Sequence, residues 1–330
     1  MRRKEKTQDA LLSIVIPVYN EALILEKFFD LIKPTIASLE KRNKVLLIFV
    51  DNGSTDETYS ILTNGADDFR NFGVLKLTRN FGYETAIIAG LTHVNSDFYA
   101  VCDSDGEDPI ELFTEFQSAL LSDYDVAIGI RRGRHENFLT RKFREFSYIL
   151  LSRVSDEPFV VGAGNFSMFK KVVRDIILKE NNSFPFMRAS LSRSGYTTAK
   201  FIHNRNPRLG GMSKYRKIPL LKFALAGFLT TTTWPLRLVS YLSLILFSLL
   251  PMITIITILI SRLTTAHLFV ALLTFYSSII VLALGILAMY LARVYKNSLG
   301  RPLFYVDWNK SYVQGQFNLN LDPRIIDSKT

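Results

Sequence analysis

Short apolar runs recur along the first part of the chain, each closed by a polar cluster. Leu11-Leu12-Ser13-Ile14-Val15-Ile16-Pro17-Val18 reads as a buried strand, as do Lys44 to Val50, Phe72 to Leu77, Asp97 to Cys102 and Val126 to Ile130. The segments between them read as helices. Asn20 is placed to cap a helix that Glu21 opens and that runs to about Leu39, and Thr55 or Asp56 caps the next. A third spans Tyr83 to Val94, and Pro109 begins a fourth at the first-turn position that proline favours. Continuous apolar strands alternating with helices predict an α/β fold with a mostly parallel sheet.

Beyond these strands the pattern changes. Asn137 to Asp156 reads as a basic amphipathic helix, a short strand follows from Asn165, and Lys170 to Leu178 reads as helix. Phe184 to Arg208 is mixed, and Gly210 to Tyr215 is a loop. Ile218 to Leu236 is apolar with few charges and contains Pro219 and Pro235, as suits a segment lying along a membrane interface. Leu238 to Ile260 and Leu268 to Leu291 carry no charge. Each exceeds the roughly 20 residues that cross a bilayer as a helix. The short linker Ser261 to His267 predicts a two-helix transmembrane hairpin with both ends on one side. The expected organisation is a globular domain over 1–210, a juxtamembrane segment over 211–237, two transmembrane helices over 238–292 and a tail over 293–330.

The 330 residues allow one large domain with an appendage, and 48% of them are hydrophobic. Neither apolar segment is a signal peptide, because both lie late and the N-terminus is polar. The formal net charge is +10. Lys214, Arg216, Lys217, Lys222 and Arg237 precede the first span, and Arg293, Lys296 and Arg301 follow the second. This bias places both flanks in the cytoplasm and makes anionic lipid a better partner for the excess charge than nucleic acid. Cys102 is the single cysteine, which excludes an internal disulfide and fits a reducing compartment.

In parallel α/β sheets ligands bind beyond the carboxyl ends of the strands. The loops at those ends hold Tyr19-Asn20-Glu21, Asp51, Arg79-Asn80, Asp103-Ser104-Asp105 and Arg131-Arg132. No Gly-x-Gly-x-x-Gly follows the first strand, so the dinucleotide fingerprint is missing. Alternation puts Asp103 and Asp105 on one face. Two hard oxygen ligands there suit Mg²⁺ or Mn²⁺ carrying a diphosphate, and a solvated acidic turn is the alternative. Such a site beside a membrane anchor points to chemistry on a lipid. The four histidines show no metal-ligand spacing.

Ser13 to Glu21, Asp51-Asn52-Gly53-Ser54-Thr55-Asp56, Arg79-Asn80-Phe81-Gly82 and Asp103-Ser104-Asp105 resemble the family 2 glycosyltransferases of the GT-A fold. Gly129-Ile130-Arg131, Gly211 to Tyr215, Pro235-Leu236-Arg237 and Gly300-Arg301-Pro302 are similar to the polyprenyl-phosphate branch of that family. The resemblance covers about residues 11 to 306 and implies a GT-A Rossmann-like domain at the bacterial inner membrane, facing the cytoplasm, in a homo-oligomer. It implies inverting transfer of one sugar from a nucleotide diphosphate sugar, with a UDP-sugar favoured, to a polyprenyl phosphate such as undecaprenyl phosphate. Pro17, Tyr19, Glu21, Asp51 and Arg79 would bind the donor. Asp103 and Asp105 would be catalytic and hold Mg²⁺ or Mn²⁺. Arg131, Arg141, Arg208, Ser213 and Lys214 would hold the acceptor phosphate.

Two neighbours depart from the family pattern. Gly164-Asn165-Phe166-Ser167 stands where Gly-Asp-Phe-Arg is common, and Glu107 stands where Gln is usual. Asn165 cannot act as a base. Asp103, Asp105, Glu107 and Asp108 make an unusually acidic cluster, with Glu107 a second candidate metal contact. Two rival readings are a processive polysaccharide synthase and a catalytically inactive regulator that binds sugar nucleotide or lipid. The synthase lacks its Gln-x-x-Arg-Trp signature here, and the intact acidic pair argues against the regulator.

Overall fold

The computed structural model describes residues 10–132, 163–180, 185–210 and 265–315, with Tyr241, Ile245 and Met252 as isolated helical positions. Strands are β1 (Ala10–Val18), β2 (Asn43–Asp51), β3 (Phe72–Lys76), β4 (Phe98–Val101), β5 (Val126–Arg131), β6 (Ala163–Lys170), β7 (Thr198–His203) and β8 (Tyr312–Gln314). Helices are α1 (Leu25–Leu39), α2 (Thr58–Asn64), α3 (Tyr83–His93), α4 (Phe113–Leu121), α5 (Lys171–Lys179), α6 (Met187–Arg193) and α7 (Thr265–Ser298). The strands form one sheet in the order β7-β5-β6-β4-β1-β2-β3-β8. β4, β1, β2 and β3 run parallel, as do β5 and β7. β6 is antiparallel to both β4 and β5, so β5 points the same way as β4. The carboxyl ends of β1 to β5 therefore meet at one edge.

The sheet is buried on both faces, which explains the unbroken apolar runs. Along β1, Ile14 and Ile16 pack with Leu25, Phe28 and Phe29 of α1, while Val15 packs with Ile87 and Leu91 of α3. Phe29, Phe49 and Phe72 form a ring cluster, with centroids 5.5 Å apart for Phe29–Phe49 and 5.1 Å for Phe49–Phe72. Burying each such ring contributes about 1.5–3 kcal/mol. A Cβ on Gly90 would lie 2.4 Å from Val15 Cγ1. Glycine there lets α3 sit close on β1, which brings Tyr83 and Glu84 to the functional edge.

Several boundaries differ from the sequence expectation for local reasons. Helix α1 starts at Leu25, and Asn20 does not cap it. Asn20 is left-handed, with φ 52°, and its Oδ1 accepts from the Thr55 N–H at 2.8 Å, joining two loops. A turn closed by Ile24 N–H to Glu21 O at 3.0 Å comes before the helix. Helix α2 has Glu57, not Thr55 or Asp56, at its N-cap, without a side-chain cap. Asp56, one residue earlier, instead accepts from the Thr58 N–H at 3.0 Å in a local turn. After Pro109 a 3-10 turn, Ile110–Leu112, leads into α4.

Helix α7 continues past Leu291 to Ser298. Its Phe275–Ser298 part is long and apolar enough to cross a membrane, and Leu282, Leu284 and Leu291 are exposed. At 1.5 Å per residue this part spans about 36 Å, more than the roughly 30 Å hydrocarbon core. It is the single such helix among the described residues. Of the first expected span only Tyr241, Ile245 and Met252 are described, and the basic helix over Asn137 to Asp156 lies outside the described residues.

Candidate active site

Strand β4 ends at Val101, and the chain passes through buried Cys102 to Asp103, Ser104 and Asp105. Burial, then the neighbouring Asp103, push the Cys102 thiol pKa well up, as expected of a packed core thiol. Asp103 Oδ1 accepts from the Tyr83 hydroxyl, and Arg131 Nη2 lies 3.5 Å from its Oδ2. Asp105 Oδ1 accepts from the Glu107 N–H at 3.1 Å, and Arg208 Nη2 lies 3.6 Å from its Oδ2. Both acids remain partly exposed, at 28% and 17% of the side chain. Desolvation pushes both carboxyls up, reinforced for Asp103 by Asp108 and Asp105 and for Asp105 by Glu107. Like charges confined near one another are a ready place for a cation.

Among the described residues no three His, Cys, Asp or Glu side chains form a metal-binding group. Asp103 and Asp105 are hard oxygen donors on a partly open edge. That set fits a divalent ion that takes one or two carboxylates from protein and completes its shell with phosphate and water.

Behind the pair lies an ionic lattice that sequence reading largely missed. Arg131 grips Asp108 with two bonds, Nε to Oδ1 at 3.0 Å and Nη2 to Oδ2 at 2.8 Å. The Asp108 side chain is 1% exposed, and His203 Nε2 lies 3.9 Å from its Oδ1. A Cβ on Gly164 would sit 3.2 Å from the Arg131 Cζ, so glycine there leaves room for the guanidinium. Arg131, expected to face a phosphate, thus commits Nε and Nη2 to the acids. Glu107 pairs with Arg205 at 2.7 Å. Arg208 Nε is buried without a hydrogen-bond partner among the described residues.

The donor-side residues flank the pair on β1, β2 and the loop after β3. Pro17 is buried in β1 beside Val50, and Tyr19 and Glu21 are half-buried in the loop after it. Asp51 is fully buried, with Oδ1 accepting from the Ser54 N–H at 2.8 Å and Oδ2 from Lys76 Nζ at 2.6 Å. Lys76 was not foreseen, because only the parallel register of β2 and β3 sets it against Asp51. Arg79 is exposed and lies over the Phe81 ring at 4.2 Å. Gly53 has φ +74°, and a Cβ there would lie 2.3 Å from the Arg79 backbone carbon, so this close approach requires glycine. Arg141, Ser213 and Lys214 lie outside the described residues.

Asn165 is 2% exposed and has a two-sided role. Its Nδ2 donates to Glu84 Oε1 at 3.1 Å, and its Oδ1 accepts from Arg188 Nε at 3.2 Å. Glu84 Oε2 accepts from the Met187 N–H at 3.0 Å, and burial pushes the Glu84 carboxyl up. A carboxylate at 165 would remove the amide donor to Glu84 and set a second acid against it. Asn165→Asp is therefore expected to cost about 1–3 kcal/mol of stability, the penalty of a buried unsatisfied acceptor. Adding Glu84→Gln should restore much of it, since the new amide donates to Asp at 165. Thermal unfolding of the three variants checks this, and an Asn165→Asp melting point equal to wild type would refute it.

The profile of "Glycosyl transferase family 2" matches residues 13–177. The chain is 29% identical over 308 residues to the uncharacterized glycosyltransferase YkcC of Bacillus subtilis, covering 91% of this chain and 94% of that one. It is 30% identical over 320 residues to the bactoprenol glucosyl transferase of Shigella phage SfX, covering 91% and 99%. Among solved structures it is similar to glucosyl-3-phosphoglycerate synthase from Mycobacterium tuberculosis, with a TM-score of 0.45, 20% identity and 64% and 75% coverage.

Proposed function

Because the chain belongs to glycosyl transferase family 2 and is a glycosyltransferase, we propose that it moves one sugar from a nucleotide diphosphate sugar to a polyprenyl phosphate. The observation that carries this reading is the partly exposed pair Asp103 and Asp105 at the sheet edge, backed by an arginine lattice. The name of the phage relative, a bactoprenol glucosyl transferase, supports a lipid carrier as acceptor. A UDP-sugar is the favoured donor.

In this reading an oxygen of the acceptor phosphate attacks the anomeric carbon from the face opposite the leaving group. The bond from that carbon to the β-phosphate oxygen breaks, the nucleoside diphosphate departs and the configuration inverts. A phosphate monoester with a second pKa of about 6 is largely dianionic at neutral pH, so it needs no general base. Asn165, which cannot act as one, agrees with that. Asp103 and Asp105 would hold a divalent ion, which would supply Lewis-acid neutralisation of the leaving diphosphate. Tyr83 and Arg131 orient Asp103, and the Glu107 N–H orients Asp105. Arg208, with Arg141, Ser213 and Lys214, is assigned to the acceptor phosphate, because arginine suits such contacts.

The acceptor reaches this edge from a membrane. Helix α7 ends at Ser298, and Tyr305 O already accepts from the Thr78 N–H, two residues beyond β3. That stretch of chain extends no more than about 25 Å. The donor edge therefore stays within that reach of the apolar helix. A bacterial inner-membrane enzyme with a two-helix hairpin, anionic lipid contacts, a cytoplasmic catalytic domain and a homo-oligomeric assembly completes the proposal.

The test is a panel of labelled UDP- and GDP-sugars incubated with the purified protein, Mn²⁺ or Mg²⁺ and undecaprenyl phosphate. One donor is expected to yield a lipid carrying a single sugar by mass. No product from any donor, or a long polymer, would overturn the reading.

A further inference from the structure

Residues 301–315 fold back along the outer edge of the sheet. β8 pairs antiparallel with β3, matching Phe72 with Gln314 and Val74 with Tyr312, and Leu77 bridges Val306. Phe304 is 6% exposed and meets His93 edge-on at 5.7 Å, while Trp308 meets the same ring at 5.0 Å. Tyr305 lies 6.1 Å from Phe81, and Tyr59 Oη donates to Lys310 O at 3.0 Å.

The bonds converge on one residue. The Lys76 N–H donates to Ser311 Oγ at 2.9 Å, and the Lys76 carbonyl accepts from the Asp307 N–H at 2.8 Å. Both backbone groups of Lys76 are thus held by this returning segment. Its side chain reaches the other way, with Nζ 2.6 Å from Asp51 Oδ2 and 3.2 Å from Ser54 O. Lys76 in turn holds the turn Asp51 to Ser54, on which the close approach of Gly53 to Arg79 depends. Without the segment, β3 would be an open edge and Lys76 would lose two of the bonds that aim it.

We propose that Leu303–Gln314 is a positioning strap for the donor nucleotide. The strap sets Lys76, and Lys76 sets Asp51 and the adjoining turn, so the nucleotide site is complete only when the chain beyond the apolar helix is docked. This rests on the donor reading above, with Asp51 at the nucleotide. Ser311, Asp307 and Lys76 are positioning residues.

The full-length protein carries the test. Asp307 has φ −82°, close to proline's own value, so Asp307→Pro removes its N–H with little backbone change, while Asp307→Ala keeps that N–H. UDP and GDP binding with Mn²⁺, donor KM, kcat and melting point are measured for each. Asp307→Pro with Ser311→Ala is expected to raise Kd and donor KM about tenfold, with kcat within threefold. Ser311→Ala alone should raise them about threefold and Asp307→Ala hardly at all. Lys76→Met should show the full loss, and the strap changes should add nothing to it. A wild-type Kd in the Pro/Ala double variant, or equal losses from Asp307→Ala, would overturn the strap. Wild-type protein that binds no nucleotide would overturn the donor reading and the strap with it.

Discussion

Asp105→Ala is expected to lower sugar transfer by a thousandfold or more while the protein stays folded. Losing a metal contact to the leaving diphosphate removes on the order of 4 kcal/mol of transition-state stabilisation, and each 1.36 kcal/mol is about tenfold in rate. Folding tolerates the change for an electrostatic reason. Burial and Glu107 hold the Asp105 carboxyl above its usual pKa, so its charge is disfavoured in the native state. Its removal leaves the Glu107 N–H without its acceptor, a loss of about 1 kcal/mol. Labelled-lipid formation and thermal unfolding, measured together, check both halves. Near-wild-type transfer in this variant would refute the metal assignment, and gross unfolding would refute the electrostatic argument.

Asp108→Ala should do the opposite, with a large effect on stability first. Asp108 is almost wholly buried and takes both hydrogen bonds of the Arg131 fork. Breaking a buried pair by removing one partner leaves an unpaired charge and costs about 3–5 kcal/mol. Arg131 would then turn to Asp103, its remaining acid, and pull that carboxylate from its orientation. Transfer should fall even at temperatures where the variant is folded. Arg131→Ala added to Asp108→Ala should recover part of the stability but none of the activity. Chemical denaturation of the two single variants and the double variant gives the coupling directly. A single-variant loss below about 1 kcal/mol would show that the pair is not structural.

The parallel core was legible because its strands are apolar on both faces. β1 to β5 each sit within a residue or two of the run that marks them. The acids that end β2 and β4 were legible for the same reason, since a carboxylate stops an apolar run visibly. What escaped was pairing across the sheet. Asp51 faces Lys76 only through the register of two parallel strands, and Asp108 meets Arg131 only because β6 reverses direction between β4 and β5. β8 escaped because Tyr312-Val313-Gln314 is too short to show a period, and a segment after a long apolar helix gives no cue that it returns to the domain. Asn165 looked like a lost catalytic acid. Its neighbours Glu84 and Arg188 show why an amide, which donates and accepts, belongs there.

An enzyme that transfers sugar to a phosphorylated polyprenol must depend on the phosphate group of its acceptor. The purified full-length protein is reconstituted in vesicles containing either undecaprenyl phosphate or undecaprenol, with Mn²⁺ and the accepted sugar nucleotide. A labelled lipid carrying one sugar is expected in the phosphate vesicles alone, with release of an equal amount of nucleoside diphosphate. Equal labelling of undecaprenol, or nucleotide release without any labelled lipid in either vesicle, would contradict it.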